Sequence, residues 1–317
     1  MLVFAPCKIN LGLRILRKRP DGYHDIETVM VPVPWCDIVE ANRSESATDT
    51  LAVTGNRVDC PPEKNLCMKA LRALREVTDF PVTDIRLHKI VPDGAGLGGG
   101  SSDAAATVRA VNGLYELGLN EDEMAKVLAK VGSDCPFFAY DRPMLCTGTG
   151  TTLSGCSVSL GGLHLVIAKP KGVAVSTAAA YAGVVPDTDV EPLTEILALP
   201  VSQWQGRLVN DFEPGIFNAA PQIKAVRDTM LSMGAVYAAM SGSGAAVFGL
   251  FTAPVDELSL KTRLYNCDRF VCKLKGCPFC VRSAGKSERY RTIFVIRVNN
   301  SGPTARFGNI FAVTIHN

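Results

Sequence analysis

Hydrophobic and polar positions alternate along this chain in two rhythms. Residues 2–16, LVFAPCKINLGLRIL, follow a loose period of two and predict a strand. Arg19-Pro20-Asp21-Gly22 predicts a turn, and 26–39 predicts further strand interrupted at Pro32 and Pro34. A short hairpin arm is expected over 51–58. Between Asn65 and Val77 the period lengthens, and Leu66, Ala70, Leu74 and Val77 fall on one helical face. Residues 85–91 read as a strand and Ser102 to about Leu117 as a helix. Leu119-Asn120-Glu121 opens another helix through Val131. Residues 136–140 and 144–147 are short apolar runs, and Gly148-Thr149-Gly150 is a turn. Further on, 163–170 predicts a strand, and Ser176-Thr177 is placed to cap a helix carrying Tyr181. Residues 183–206 are polar, loop and short helix. Residues 219–233 form an amphipathic helix ended by Gly234. Two strands, 237–240 and 245–251, are joined by Ser241-Gly242-Ser243-Gly244. Strands and helices mix without strict βαβα alternation, so the fold class is α+β.

The densest chemical signal is Pro92-Asp93-Gly94-Ala95-Gly96-Leu97-Gly98-Gly99-Gly100-Ser101-Ser102, which runs directly into a predicted helix. Glycines let the backbone approach a ligand. The free N–H groups and dipole of a helix N-terminus attract negative charge. The two hydroxyls add donors for phosphate or oxygens for Mg²⁺. The loop lacks the Gly-Lys-Ser/Thr ending of a Walker P-loop and the βαβ setting of a dinucleotide fingerprint.

Three other segments suit phosphoryl transfer, which needs a phosphate cradle, a cation and a carboxylate near the attacking hydroxyl. Lys8 and Asn10 flank Ile9 and share one strand face. They are either the polar outer face of an edge strand or an inward pair that needs partners. Asp134, between Gly132 and an apolar Pro-Phe-Phe run, is either a turn cap or the carboxylate. The Ser-Gly-Ser-Gly turn is either a plain hairpin or a second set of backbone amides.

Length and composition narrow the class. At 317 residues and 47% hydrophobic the chain has material for two domains. No apolar run approaches a membrane span, and the first residues do not read as a signal peptide. Eleven scattered cysteines suit a reduced, cytoplasmic setting better than a disulfide scaffold. Residues 256–317 hold 11 Lys/Arg against 4 Asp/Glu, while the rest holds 22 against 27. An acidic body argues against a broad nucleic-acid-binding face. Neither a nucleic-acid nor a membrane partner is expected, and the sequence says nothing of oligomeric state.

Together, PCKINLGLRILRKRPDGYHDIET at 6–28, the loop at 92–105, VGSDCPFF at 131–138, NDFEP at 210–214 and MSGSGAAVFGLF at 240–251 resemble the galacto-, homoserine, mevalonate and phosphomevalonate (GHMP) kinase superfamily. Arg-Pro-Asp-Gly-Tyr-His narrows the resemblance to the branch that phosphorylates the 2-hydroxyl of a cytidine-diphosphate-linked methylerythritol in non-mevalonate isoprenoid synthesis. The alternative is a sister kinase for a mevalonate- or homoserine-type alcohol. The resemblance implies two lobes with the site in the cleft between them. Residues 1–155 would carry ATP, 156–275 would form the second lobe, and 276–317 would be an unassigned basic tail. It implies ATP and Mg²⁺, with no metal-ligating residue named. Lys8 and Asp134 would be the catalytic pair. Asp134 would accept the hydroxyl proton, while Lys8 would keep it ionised and stabilise charge in the transition state. Lys64, Asn65, Pro92, Gly94, Gly96, Leu97, Gly98, Gly99, Gly100, Ser101 and Ser102 would bind ATP. Asn10, Tyr23, His24, Tyr181, Gly242, Ser243 and Gly244 would bind the second substrate, with Tyr23 and Tyr181 stacking on the base.

The resemblance fades after Phe251 and reaches 275 if 265–276 is a closing strand. Residues 277–317 match nothing in it. They read either as an appended tail or as sequence altered by a reading-frame change, expected to be poorly ordered or peripherally packed. TIFVIRV at 292–298 is nevertheless strand-like. Cys277-x-x-Cys280 has the spacing of half a zinc site, but its candidate partners Cys267 and Cys272 are five residues apart on the closing strand.

Overall fold

The computed structural model describes residues 1–274 and the backbone of four short strands beyond them. Strand β1 (Leu2–Lys18) folds back on β2 (His24–Arg43) through the predicted turn, which Arg19 braces by pairing with Asp21 at 2.9 Å and Asp25 at 3.1 Å. Strand β3 (Thr50–Gly55) lies parallel beside β4 (Thr83–Lys89), so the expected hairpin arm is instead an outer strand of the sheet. Its partner arrives only after helix α1 (Leu66–Arg75), which makes the connection a crossover. The far half of β2 pairs with β4, and its near half pairs with β5 (Met144–Gly148), which in turn carries β6 (Thr152–Gly155). Helices α2 (Gly99–Leu114) and α3 (Glu121–Ala129) join α1 on one face of this sheet. Val77 falls outside α1 and is 51% exposed, because the helix has ended two residues earlier.

The second sheet takes the order β10-β7-β9-β8, with β7 (His164–Pro170), β8 (Tyr237–Met240), β9 (Val247–Phe251) and β10 (Cys267–Lys273). The closing strand within 265–276 is therefore present, antiparallel to β7. Helices α4 (Thr177–Ala182), α5 (Leu193–Leu197), α6 (Glu213–Ala219), α7 (Pro221–Ser232) and α8 (Glu257–Arg263) complete this half. Ser176 stands at the N-cap of α4 but makes no side-chain cap hydrogen bond. Cys7, Ile9 and Leu11 of β1 share a core with Leu165, Ile167 and Phe248, so β1 joins the two sheets through its apolar face. Cys267 and Cys272 pack into different cores, as an odd spacing on a strand requires, and cannot form one half of a metal site. Cys277 and Cys280 lie outside the described residues, as does the expectation of a loosely ordered tail. Within 280–317, a unit of its own, Thr292–Val295 pairs antiparallel with Phe311–Thr314, and Val298–Asn299 with Arg306–Phe307.

A buried ion triad ties β2, β4 and α2 together beneath the Gly-rich loop. Lys89 Nζ donates to Asp37 and, at 2.7 Å, to Asp103, and all three side chains are at most 4% exposed. The other Asp37 oxygen accepts from the Ile90 and Val91 N–H groups, where the chain enters the loop. One cation facing two carboxylates leaves an excess negative charge in the interior, and burial raises the Asp103 carboxyl to about 8. A carboxyl raised in the folded state contributes stability that is lost as pH climbs from the ordinary aspartate range through about 8. Asp103→Asn removes that titration. Its urea midpoint is expected to gain on the wild type between pH 6 and pH 9, and a constant gap would count against the shift. Asp37→Ala leaves the Ile90 and Val91 N–H groups without their acceptor while Lys89 keeps Asp103, and should destabilise by ~2–4 kcal/mol.

Candidate active site

Lys8 and Asn10 face away from the core that Cys7, Ile9 and Leu11 enter, yet they are only 3% and 2% exposed. A buried ammonium requires acceptors. Lys8 Nζ donates to Asn10 Oδ1 at 2.5 Å and to the Gly96 carbonyl at 2.9 Å. It lies 3.8 Å from a carboxylate oxygen of Asp134. Burial holds the Lys8 pKa below the usual lysine range, with Asp134 opposing that shift. Asp134 precedes the 3₁₀ turn Cys135–Ala139 but makes no cap bond with its side chain. That side chain is 36% exposed, so one member of the pair is sealed and the other is open to solvent.

The Gly-rich loop is pinned on both flanks. The Lys8 N–H donates to the Leu97 carbonyl at 2.9 Å, and the Ala246 N–H to the Ala95 carbonyl at 3.0 Å. Ser241 Oγ donates to the Gly96 carbonyl at 3.0 Å. Gly98, with φ +68°, is the N-cap of α2, and the helix begins at Gly99, three residues before the predicted start. The Ser102 N–H is the first to bond within the helix, to the Gly98 carbonyl. Gly99, Gly100 and Ser101 therefore supply the unpaired N–H groups of the first turn. The Ser102 hydroxyl is buried without a protein partner.

A cavity of about 210 Å³ opens between the sheets. Lys8, Asn10, Gly94, Gly96, Gly98 and Asp134 line it from the first, and Thr177, Tyr181, Phe212, Gly242, Ser243 and Gly244 from the second. Thr177 Oγ1 lies 3.2 Å from Ser243 Oγ. A Cβ on Gly242 would come within 3.2 Å of Lys8 Nζ, so the turn backbone approaches the ammonium closely.

The remaining expected residues are placed differently. His24, not Tyr23, stacks on Tyr181, with ring centroids 4.7 Å apart and planes inclined by 21°. Tyr23 is 67% exposed and does not line the cavity. Tyr181 also meets Phe212 in a T-shaped contact, ring centroids 4.9 Å apart. Burial raises the Tyr181 phenol, and the charge of Asp134 adds to the shift. Asn65 caps α1, its Oδ1 accepting from the Cys67 N–H at 2.9 Å, and Lys64 ends the preceding 3₁₀ turn. Neither lines the cavity, although the start of α1 borders the Gly-rich loop through Leu66, beside Gly100. Pro92 and Leu97 are buried. Pro92, Leu97, Gly99, Gly100, Ser101 and Ser102 do not line the cavity.

Besides Thr177 and Phe212, other residues not assigned to the site from the sequence help build it. Thr28 lines the cavity, while Ser241 and Asn210 hold its walls. Asn210 Nδ2 donates to the Met240 and Gly242 carbonyls at 2.9 and 2.8 Å, fixing the Ser-Gly-Ser-Gly turn. The NDFEP segment was the available signal for Asn210.

Known proteins similar to this chain are kinases of one superfamily. Models of the GHMP kinases N terminal domain and GHMP kinases C terminal match residues 65–142 and 197–265. A 4-diphosphocytidyl-2-C-methyl-D-erythritol kinase of Parabacteroides distasonis is 47% identical over 254 residues, covering 80% of this chain and 93% of that one. Its counterpart in Porphyromonas gingivalis is 45% identical over 254 residues, covering 79% and 92%. A crystal structure of 4-(cytidine 5'-diphospho)-2C-methyl-D-erythritol kinase has a TM-score of 0.70 at 28% identity, covering 86% of this chain and 98% of its own. A mevalonate kinase, 15% identical with a TM-score of 0.66, shares the fold. This small-molecule kinase belongs to the 4-diphosphocytidyl-2-C-methyl-D-erythritol kinase family of the GHMP kinases.

Proposed function

We propose that the chain transfers the γ-phosphoryl group of ATP to the 2-hydroxyl of 4-diphosphocytidyl-2-C-methyl-D-erythritol, a step of non-mevalonate isoprenoid synthesis. The observation that carries this reading is the Lys8–Asp134 pair opening on the same cavity as the glycines that lead into α2. Phosphoryl transfer leaves the protein little covalent chemistry, and positioned charge does most of the work. The N–H groups of Gly99, Gly100 and Ser101 would hold ATP phosphates, with Gly94, Gly96 and Gly98 allowing close approach. Lys8, aimed by Asn10 and the Gly96 carbonyl, would face the charge developing on the transferred group. Asp134 would accept the hydroxyl proton as the O–P bond forms. Gly242, Ser243 and Gly244 would hold the acceptor from the opposite wall. In this reading 1–155 is the ATP lobe and 156–275 the lobe that closes over the acceptor.

Mg²⁺ fits the residues present. Such an ion takes phosphate oxygens and one or two protein oxygens, not an all-protein cage. Among the described residues no cluster of three or more His, Cys, Asp or Glu is built for a metal. Ser102, whose hydroxyl has no protein partner, is the side chain that would hold the ion with the nucleotide. The ion would neutralise phosphate charge.

For the cytosine, Tyr181 offers a ring face on which His24 now rests. Tyr181→Leu keeps the packing on Phe212 but removes the π-face. It should raise KM for the cytidine substrate about tenfold, within the ~1–3 kcal/mol of base stacking, and leave KM for ATP unchanged. An equal rise for both substrates would place Tyr181 elsewhere in the mechanism. The function itself is tested by ATP consumption with Mg²⁺ and 4-diphosphocytidyl-2-C-methyl-D-erythritol, mevalonate or homoserine. Turnover of the cytidine compound alone is expected, and turnover of either other alcohol instead would replace the reading.

A further inference from the structure

We infer that Thr28 is a positioning residue for this reaction, whose hydroxyl dictates which end of the Asn10 amide faces Lys8 and so aims the ammonium at Asp134. The inference rests on the proposed catalytic role of the Lys8–Asp134 pair.

Thr28 is fully buried in β2, opposite Leu13 of β1 and Cys146 of β5. Its single proton is committed: Thr28 Oγ1 donates to the Gly12 carbonyl at 2.6 Å. Gly12 stands at a register shift between Leu11 and Leu13, with φ +69°, and Leu193 and Leu208 fill the space where a side chain would go. The acceptor that fixes the hydroxyl is thus itself locked by the fold. With its proton spent, Thr28 Oγ1 can only accept from Asn10, and Asn10 Nδ2 donates to it at 2.9 Å. That contact excludes the flipped amide. Asn10 must turn Oδ1 toward Lys8 Nζ, where it accepts at 2.5 Å. The flipped amide would set an NH₂ group against a buried ammonium.

Lys8 has three N–H donors. One is taken by Asn10 Oδ1 and one by the Gly96 carbonyl. The third remains for the side of Asp134, 3.8 Å away. The polarity of each link therefore follows from the one before, from the Gly12 carbonyl through Thr28 and Asn10 to Lys8. An Asn10 free to flip would leave Lys8 without a fixed direction, and a small misplacement of a charged group near a reacting phosphate has a large effect on rate.

The test compares Thr28→Val, which keeps the shape, with Thr28→Ser, which keeps the hydroxyl. Both are assayed for kcat and for KM of ATP and of the cytidine substrate. Thr28→Val is expected to lower kcat by about 10–100-fold with little change in KM for ATP. Thr28→Ser should recover most of that loss. In an Asn10→Ala background, Thr28→Val should add almost nothing, because its effect passes through Asn10. Thr28→Ala repeats the comparison with a smaller side chain should the valine variant not fold. Undiminished kcat in Thr28→Val, failure of Thr28→Ser to recover it, or full additivity with Asn10→Ala would each overturn the inference. Asp134→Asn in the same assay separates the two claims. Loss there with Thr28→Val unaffected sinks only the role of Thr28, while full turnover of Asp134→Asn removes the catalytic reading beneath it.

Discussion

Asp134→Asn is expected to lower kcat by about 10³-fold, inside the 10²–10⁴-fold range of general-base catalysis, and to leave ATP binding within about twofold. Asparagine keeps the size of the side chain and cannot accept the hydroxyl proton as a carboxylate does. Among the described residues lining the cavity, Asp134 is the one acidic side chain, so no neighbour stands ready to replace it. Its carboxylate is not spent on a helix cap, and the nearby cation is buried and held by other acceptors. In the local fold the charge faces only Lys8, which two other acceptors also hold, so any change in unfolding midpoint should be small beside the loss of kcat. Steady-state kinetics and an ATP titration on the same preparation check this. Loss of nucleotide affinity in step with kcat would mean that Asp134 serves the phosphates and not the acceptor hydroxyl.

How far the sequence was legible depended on whether a residue's partners were local. The Gly-rich loop announced itself because five glycines, two serines and a helix lie together, although the helix already begins at Gly99. Lys8 and Asn10 showed as two polar positions on an apolar strand, but their burial could not be read from alternation alone. Thr28 has nothing to distinguish it among Ile26, Val29 and Met30, and its role comes from Gly12 and Asn10 across the sheet. Ser241 acts on Gly96, 145 positions away, and Asn210 on Gly242, 32 away. The parallel placement of β3 is hidden for the same reason, since a short apolar run before a turn looks alike whether its partner follows at once or after a helix. Lys89, Asp37 and Asp103 are also spread over three elements, and only the fold brings them together.

Gly96 is where these long-range contacts converge, and Gly96→Ala is expected to be the more damaging change for the protein as a whole. A Cβ there would fall 2.0 Å from the Ser241 carbonyl oxygen and 3.0 Å from the Gly244 nitrogen. Both obstacles are backbone, on the turn that Asn210 and Glu213 fix through Met240 and Gly242, so neither can rotate away. The φ of +72° adds strain for any L side chain. Relief requires the loop to part from the β8–β9 turn. The Gly96 carbonyl then loses Ser241 Oγ and shifts under Lys8 Nζ, which it helps to aim. Stability and rate should therefore fall together, with kcat down by about 100-fold or more. Gly118→Ala is the control, because its φ of +75° imposes similar strain, nothing lies within 4 Å of the added carbon and the residue stands outside the cavity. It should lose only ~1–2 kcal/mol of stability and keep kcat within about threefold. If the two variants behaved alike in urea unfolding and in kcat, backbone strain alone would account for both, and the close packing of the loop against the second sheet would not be what holds Lys8 in place.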